Sequence, residues 1–292
     1  MTPEKSSPAE FSSLTRIIVS YNSAAVLPAC LDAIPGLATI VVDNSSADST
    51  REYCRRRADV ELVESPVNLG FGAGMNLAMS RCTTPYALLI NPDAVLDADN
   101  LSRLIDAAAT FPEAGLIGPV IENEDGTVEC SHDRALHRRA GMVRKRSDPT
   151  PEGPTSVEFI SGALFLVRLD LFRQLGGFDE RFFLFYEDDD LSWRACAAGH
   201  PNLLVPEARA LHLGGQSGTP SARGAFRREF HMGRSLSLYR RKHLGWGNAG
   251  WALATEGPRY FIKAVLRSLI FDGVKASRDW GRLAGGIKGM IT

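Results

Sequence analysis

The sequence has 292 residues, 44% of them hydrophobic and 23% charged, which is ordinary for a globular protein with one large α/β domain or two small ones. Its five cysteines form no CxxC pair, which excludes a disulfide framework and a zinc ribbon and fits a reducing compartment. No run of about 18 apolar residues occurs, so no membrane-spanning helix is predicted. The polar residues 1–13 lack the apolar core of a signal peptide and are expected to form a disordered tail.

Charge is distributed unevenly, although the net charge is only −1. Residues 223–292 contain 14 Lys and Arg against 4 Asp and Glu, whereas the preceding residues contain 19 and 30. A basic C-terminal part joined to an acidic body is expected to face an anionic partner. The candidates are a membrane surface, a phosphorylated acceptor and nucleic acid.

Taken in chain order, predicted strands alternate with predicted helices. The strands are expected at 14–20, 39–42, 60–63, 86–90, 115–121, 159–167, 203–205 and 208–211. The helices are expected at 24–34, 49–57, 75–81, 100–110, 169–175 and 191–198, with Ser49 and Asp99 as N-caps. This alternation predicts an α/β fold with a parallel sheet and right-handed crossovers.

The segment 86–90 is apolar throughout and stops at Asn91-Pro92. Such a run fits a strand buried on both faces, and proline cannot continue a central ladder. Asp93 therefore follows the carboxyl end of a buried strand, at the edge where open α/β sheets bind ligands. A carboxylate there can hold a divalent cation against a diphosphate.

Three glycines at alternate positions, Gly70, Gly72 and Gly74, precede the helix predicted at 75–81. Glycines there let the backbone approach a ligand closely, and a helix N-terminus favours anions. The spacing matches neither GxGxxG nor a P-loop, which disfavours a dehydrogenase and a P-loop enzyme. A tight loop that needs small residues for helix–sheet packing explains the glycines equally well.

Four consecutive acids, Glu187, Asp188, Asp189 and Asp190, precede the helix predicted at 191–198. Carboxylates in a first turn complement the helix dipole, and Asp190 can pair with Arg194 at i,i+4 spacing. These structural roles account for one or two of the four. Like charges crowded beside the preceding aromatic run raise a carboxyl pKa, which is how a general base is tuned.

Three further features are candidates for the same site. His212 ends a predicted strand and opens a Gly-rich turn, which favours a metal ligand or diphosphate contact over a purely structural histidine. Gly162 marks an expected bend in the apolar segment 159–167. The basic segment 132–146 predicts an irregular loop that either touches an anionic ligand or is simply solvated.

Seven segments occur in a characteristic order: VSYNS (19–23), VVDNSS (41–46), NLGFGAGMN (68–76), LLINPDA (88–94), SGALFLVR (161–168), GGFDERFFLFYEDDDLSWR (176–194) and HLGGQS (212–217). Together they resemble glycosyltransferase family 2 and, within it, the rhamnosyltransferase-like bacterial enzymes. The resemblance implies a GT-A fold, with a mixed, mainly parallel sheet flanked by helices. We assign this domain to residues 14–225 and a basic, amphipathic helical extension to residues 226–292.

The resemblance also implies a donor site and a metal site. The donor-binding residues would be Tyr21, Asn22, Asp43, Asn68, Gly70, Gly72, Asn91 and Gly162. Among them, Asp43 would contact the nucleobase of the donor. The segment Asn91-Pro92-Asp93 stands where the family has its DxD motif, with asparagine replacing the first aspartate. Asp93 and His212 would then be the protein ligands of Mg²⁺ or Mn²⁺.

The family's ED motif implies that Asp188 is the catalytic base, with Glu187 as the alternative. Asp188 would deprotonate an acceptor hydroxyl, which attacks the anomeric carbon opposite the leaving nucleotide diphosphate in one inverting displacement. The implied donor is dTDP-rhamnose, or else a UDP-sugar for galactosyl, galactofuranosyl or glucosyl transfer. The implied acceptor is a glycan or a polyprenyl-linked glycan.

In the C-terminal part, Arg259, Lys263 and Arg267 form one stripe, and apolar residues lie on the other faces. This pattern predicts an interfacial helix on an anionic membrane, against the alternative of a solvated helix packed on the catalytic domain. Nucleic acid is disfavoured, because the aromatic interleaving needed for base stacking is weak. The expected location is the cytoplasm, at the inner face of the cell membrane.

Two other functions are compatible with such a fold. A sugar-phosphate nucleotidyltransferase would need a Gly-rich basic loop after the first strand, where this chain has SYNSA (20–24). A catalytically inactive sugar-nucleotide-binding scaffold is disfavoured by the presence of Asp93, Asp188 and His212.

Overall fold

The computed structural model describes residues 11–134, 136, 150–213 and 221–292. The chain divides into two compact units. The first comprises Met1–Asp179 and Asp188–Gly215, and the second comprises Glu180–Glu187 and Gln216–Thr292. The sequence-based boundary at 225/226 falls ten residues into the second unit, which also takes the aromatic segment after Asp179.

The described strands are β1 (Leu14–Ser20), β2 (Thr39–Asp43), β3 (Val60–Glu64), β4 (Tyr86–Ile90), β5 (Ala94–Val95), β6 (Ile117–Asn123), β7 (His132–Asp133), β8 (Thr155–Val157), β9 (Phe159–Ile160), β10 (Leu164–Arg168) and β11 (Asn202–His212). The described helices are α1 (Leu27–Asp32), α2 (Thr50–Arg55), α3 (Phe71–Met79), α4 (Ala98–Thr110), α5 (Leu169–Gln174), α6 (Glu187–Ala197), α7 (Ala222–Tyr239), α8 (Gly245–Leu269) and α9 (Gly273–Ile291). A π-helical segment, Arg240–Leu244, joins α7 to α8.

Nine of these strands form one mixed sheet in the order β3-β2-β1-β4-β10-β6-β11-β5, with β8 paired to β11. The strands β3, β2, β1 and β4 are all parallel, as predicted from the strand–helix alternation. β10 runs antiparallel between β4 and β6, while β6 and β11 are again parallel. The sheet therefore has the predicted mixed α/β architecture.

The apolar strands are buried on both faces of the sheet. Alternate residues of β4 divide between two cores, with Leu88 and Ile90 in one and Ala87 and Leu89 in the other. Successive side chains of a strand point to opposite faces. An uninterrupted apolar run is therefore what a strand covered by helices on both sides requires.

The glycine-rich segment differs from its prediction. α3 begins at Phe71, so Gly72 and Gly74 lie inside the helix and not in a loop before it. A Cβ atom on Gly74 would lie 3.0 Å from both methyl carbons of Val19. This glycine therefore allows close packing of the helix on β1, which is the structural alternative that the sequence left open.

Other local predictions are corrected in the same way. The N-cap of α4 is Asp97, whose carboxylate accepts the Asn100 N–H, and not Asp99. Ser49 does precede α2, but its side chain makes no capping hydrogen bond. Phe11, placed by the sequence in a disordered tail, is only 2% exposed and belongs to a core beside the sheet.

In the second unit, α7 and α9 are packed backbone against backbone. A Cβ atom added to Gly281, Gly285 or Gly289 of α9 would collide with the carbonyl oxygens of Phe226, Phe230 and Arg234, respectively. These glycines at i,i+4 spacing therefore set the short distance between the two helices. None of the helices in the described ranges is long and apolar enough to span a bilayer.

One charged side chain is fully buried in the first unit. Arg16 of β1 is 1% exposed, and burial lowers the pKa of its guanidinium. Its nitrogens donate to the carbonyl oxygens of Cys30 and Leu31, at 2.8 and 3.3 Å, and to the hydroxyl of Thr39, at 3.0 Å. Arg16 thus ties the end of α1 to strands β1 and β2.

We expect Arg16→Ala to lower the free energy of unfolding by about 3 kcal/mol, because it leaves two buried carbonyl groups without donors. Chemical denaturation followed by circular dichroism measures this change. The matched control is Arg56→Ala, an exposed arginine beside α2, which should change the value by less than about 0.5 kcal/mol. Equal stabilities of the two variants would contradict the assigned role of Arg16.

Candidate active site

Asp93 and His212 meet at the carboxyl end of β4. β5 follows Asp93 directly, and its pairing with β11 sets His212 opposite Ala94. The backbone N–H of Leu213 also donates to the Asp93 carbonyl at 2.8 Å. As a result, Nε2 of His212 lies 3.3 Å from Oδ1 of Asp93. Strand pairing thus brings together the two residues that the sequence proposed as metal ligands.

Glu129 lies on the other side of the His212 ring. Its Oε2 is 2.8 Å from Nδ1 of His212, so this carboxylate can accept a hydrogen bond from Nδ1 and orients the ring with Nε2 toward Asp93. The carboxylates of Asp93 and, to a smaller extent, Glu129 raise the pKa of His212 to about 10. Glu129 was missed by sequence reasoning, because it follows a polar turn and only the tertiary fold brings it to His212.

The described residues contain no cluster of three or more His, Cys, Asp or Glu side chains arranged to hold a metal ion. The pair of Asp93 and His212 nevertheless fits a shared cation. Nε2 of His212 is buried and faces Oδ1 of Asp93 at 3.3 Å, and it makes no closer hydrogen bond with a described residue. Mg²⁺ in particular is commonly bound by one or two protein ligands, and phosphate oxygens and water complete its coordination.

The four consecutive acids differ in exposure. α6 begins at Glu187, so all four lie in its first turns. Glu187, Asp189 and Asp190 are 6%, 2% and 0% exposed, whereas Asp188 is partly exposed. Asp190 pairs with Arg194 at 2.8 Å, which is the i,i+4 pair that the sequence allowed. Asp188 is therefore the acid of this group that is most open to a substrate.

Gly162 connects Asp188 to the loop of Asp93. Its backbone N–H donates to Oδ2 of Asp188 at 2.9 Å, and the next residue, Ala163, accepts the N–H of Asn91 at 2.8 Å. A Cβ atom on Gly162 would lie 3.2 Å from Cβ of Asp188. The bend between β9 and β10 therefore holds the candidate base beside the candidate metal loop.

The loops after β1 and β2 contain the predicted nucleotide pocket. Asn22 has a positive φ of 53°, and its Oδ1 accepts the N–H of Ala47 at 2.8 Å. Its own N–H donates to the hydroxyl of Ser46 at 2.9 Å. Asn22 thus ties the two loops together, while the neighbouring Tyr21 is 47% exposed and can contact a ligand.

Asp43 ends β2 and is fully buried. Its Oδ2 accepts the N–H of Ser46 at 3.1 Å and lies 3.6 Å from Nε of Arg51. Its Oδ1 has no hydrogen-bond partner among the described residues. A buried carboxylate oxygen without a donor costs free energy, so this atom is suited to accept a hydrogen bond from a ligand.

Asn44 organises the segment before α3. Its Oδ1 accepts the N–H of Leu69 at 2.7 Å, and its Nδ2 donates to Oδ1 of Asn68 at 3.1 Å and to the carbonyl of Gly70 at 2.9 Å. Gly70 itself has φ of 88°, which favours glycine. Sequence reasoning did not single out Asn44, although its position directly after Asp43 was a usable signal.

Two predicted features lie largely outside the described residues. They are the basic segment 132–146, of which 132–134 and 136 are described, and the glycine-rich turn after Leu213.

A mixed, mainly parallel sheet with Asp43, Asp93 and His212 in the loops at one edge is compatible with a GT-A glycosyltransferase. The sequence model described as Glycosyl transferase family 2 matches residues 15–176. The chain is 30% identical over 226 residues to N-acetylglucosaminyl-diphospho-decaprenol L-rhamnosyltransferase of Mycobacterium tuberculosis (strain ATCC 25618 / H37Rv), covering 68% of this chain and 71% of that protein. The chain therefore belongs to glycosyltransferase family 2.

Two further comparisons agree. Rhamnosyltransferase WbbL of Escherichia coli (strain K12) is 24% identical over 224 residues, which cover 70% of this chain and 83% of that protein. The solved structure of mannosyltransferase PcManGT from Pyrobaculum calidifontis, in complex with GDP-Man and Mn²⁺, has a TM-score of 0.59 and 18% identity, and covers 97% of this chain and 88% of that chain. The GT-A fold and the family resemblance inferred from the sequence are confirmed.

Proposed function

We propose that this glycosyltransferase moves L-rhamnose from dTDP-rhamnose to a hydroxyl group of a lipid-linked glycan at the inner face of the cell membrane. The observation that best supports this reaction is that hydrogen bonds at the bend, from Gly162 to Asp188 and from Asn91 to Ala163, link Asp188 to the loop of Asp93. The choice of sugar and acceptor is supported by the M. tuberculosis relative, whose name specifies an L-rhamnosyl transfer and a diphospho-decaprenol.

Asp188 is the proposed base. Its two carboxylate oxygens accept backbone N–H groups, Oδ2 from Gly162 at 2.9 Å and Oδ1 from Asp189 at 3.0 Å, which fix its orientation. Each oxygen keeps a second lone pair for the proton of an acceptor hydroxyl. As that proton moves to Asp188, the acceptor oxygen bonds to the anomeric carbon, and the bond from this carbon to the diphosphate breaks. The diphosphate leaves with the electron pair of that bond. Because the acceptor oxygen attacks from the opposite face, the configuration at the anomeric carbon inverts.

Asp93 and His212 are the proposed ligands of Mg²⁺ or Mn²⁺. When bound there, the cation supplies positive charge that stabilises the leaving diphosphate. Glu129 keeps the ring of His212 oriented toward Asp93, which is the usual contribution of a carboxylate behind a ligating histidine.

The nucleotide is proposed to bind at the ends of β1 and β2. Oδ1 of Asp43, which has no described partner, would accept an N–H of the base. The segment held by Asn44, from Asn68 to Gly70, would line the sugar–phosphate side. Gly74 packs against Val19 and serves the helix–sheet contact instead.

The donor is tested by thermal unfolding of the full chain with dTDP, UDP and GDP, each with and without Mn²⁺. We expect dTDP with Mn²⁺ to raise the melting temperature most, because ligand bound only to the folded state stabilises it by mass action. A selective response to UDP would keep the mechanism and change the sugar. No response to any of the three nucleotides would contradict the proposed donor site.

Asp188→Asn should lower kcat by about a thousandfold, because the amide cannot accept the hydroxyl proton. Donor binding should be unchanged, since the substituted side chain retains its size and its carbonyl oxygen can still accept one of the two backbone N–H groups, that of Gly162 or that of Asp189. Turnover is measured by transfer of labelled sugar, and donor binding by titration calorimetry. The comparison variant is Glu187→Gln; a larger loss there than in Asp188→Asn would move the base to Glu187.

Glu129→Ala should weaken Mn²⁺ binding in the presence of a nucleotide diphosphate by about 10- to 100-fold, because His212 loses the partner that orients it. Titration calorimetry measures the metal affinity independently of turnover. The control is Glu124→Ala, an exposed glutamate in the turn before Glu129, which should bind Mn²⁺ like the unmodified protein. Equal affinities in the two variants would argue against this role of Glu129.

A further inference from the structure

Helix α8 carries an apolar stripe that faces water. Trp251, Ile262, Leu266 and Leu269 are 71%, 56%, 57% and 69% exposed. Their spacing places them on one side of the helix. The residues of α8 that are buried are small: Ala249, Ala252, Gly257 and Ala264. The helix therefore packs through its small residues and presents its large apolar side chains to the outside.

The turn from α8 to α9 continues this stripe. Ile270 and Phe271 are 71% and 94% exposed. Phe271 also has φ of 57°, a left-handed conformation that glycine and asparagine adopt far more readily. Turns are normally built from small or polar residues. A strained, almost fully exposed phenylalanine at a turn is explained if its side chain is covered by a membrane or by another molecule.

A basic cleft borders the same helix. The cleft has a volume of about 340 Å³ and is lined by Glu229, Tyr260, Lys263, Arg267, Lys275, Arg278, Asp279 and Arg282. Asp279 is paired with Arg267 at 2.6 Å, and Glu229 with Arg282 at 3.2 Å. Lys275 is paired with Asp272 at 2.8 Å, so five basic residues stand against three acidic ones and positive charge remains in excess. Lys263 and Arg267 directly follow Ile262 and Leu266, so the cleft adjoins the apolar stripe.

Neither Lys263 nor Arg259 has an acidic partner within 4.0 Å in the part of the chain that the structure describes. Arg259 is exposed and lies one residue after Pro258 in α8. Long basic side chains next to exposed apolar ones are arranged as in a helix that lies in a membrane interface.

We propose that the apolar stripe of α8, the turn at Phe271 and the basic cleft form one surface that docks on an anionic phospholipid bilayer. The apolar side chains enter the boundary of the acyl chains, and the basic side chains meet the phosphate headgroups. This surface deepens the proposed function, on which it rests for the lipid-linked acceptor, because it keeps the enzyme where that acceptor is located.

Charge favours a bilayer over a second copy of the chain as the occupant of this surface. Residues 223–292 contain 14 Lys and Arg against 4 Asp and Glu. A symmetric contact between two such surfaces would bring like charges together, which is unfavourable. An anionic leaflet instead complements them, with each basic residue near the surface adding to the attraction.

The test uses flotation of the full chain with vesicles of phosphatidylglycerol and phosphatidylcholine in equal amounts, and with vesicles of phosphatidylcholine alone. We expect binding to the anionic vesicles that weakens as salt is raised, and much weaker binding to the neutral vesicles. Absence of binding, or equal binding to both vesicle types, would overturn the inference.

Variants separate the two parts of the surface. Leu266→Glu/Leu269→Glu should weaken vesicle binding by about a hundredfold, whereas Leu266→Ile/Leu269→Ile should bind like the unmodified protein. Both positions are exposed, so the fold should be retained, which circular dichroism checks. Arg259→Glu should weaken binding by about tenfold, and the matched control Arg56→Glu, with the same change in net charge on the first unit, should not.

If a second copy of the chain covers this surface instead of a membrane, the same variants give a different result. If Leu266→Glu/Leu269→Glu converts a dimer to a monomer in light scattering and leaves vesicle binding unchanged, a second copy covers the surface and the inference is wrong. Thermal stabilisation by nucleotide is measured in the same variants. Loss of vesicle binding with nucleotide stabilisation intact supports the docking surface, whereas vesicle binding without any nucleotide response would refute the proposed donor site alone.

Discussion

Backbone pairing at the carboxyl end of β4 is the constraint on which the candidate site depends. On one side, Ala163 accepts the N–H of Asn91, and on the other, Leu213 donates to the carbonyl of Asp93. A slip of one residue in either pairing would turn the facing side chains to the opposite side of the sheet. Such a slip would exchange side chains of different size between the two close-packed cores, which opposes it. Core packing therefore helps to fix the positions of the polar site residues.

The polar residues at this edge have divided roles. Asp190 is buried against Arg194, and Asn44 and Asn22 are used to hold loops together. Each of them makes side-chain hydrogen bonds within the protein. Asp188 is partly exposed, and Oδ1 of Asp43 lacks a described partner. Some polar groups therefore hold the loops in place, and others remain available for a ligand. The available groups, on Asp188 and Asp43, are compatible with a nucleotide-sugar transferase of the family to which the chain belongs.

Much of this could be predicted from the sequence where one physical requirement dominates. β4 was predicted with its observed bounds, because a strand buried on both faces needs an uninterrupted apolar run. β1 was also predicted with its observed bounds, although its buried residues include Thr15 and Arg16. Helix ends were less predictable. Glycine has a low intrinsic helix propensity, so Gly72 and Gly74 argued for a loop, but packing against Val19 favoured the helix. Glu129 could not be predicted at all, since its partner His212 is distant in the chain.

The sequence by itself determined the α/β alternation, the buried strands and the family, because these follow from local composition and motif order. It also singled out Asp93, His212 and the acidic cluster as candidate site residues. Only the tertiary structure decided which acid of the cluster is exposed, which residue contacts Nδ1 of His212 and which side of α8 faces water. Those properties depend on contacts between segments far apart in the chain, such as Gly162 with Asp188 and α9 with α7. Local periodicity carries no information about such contacts until strand register and helix packing are set.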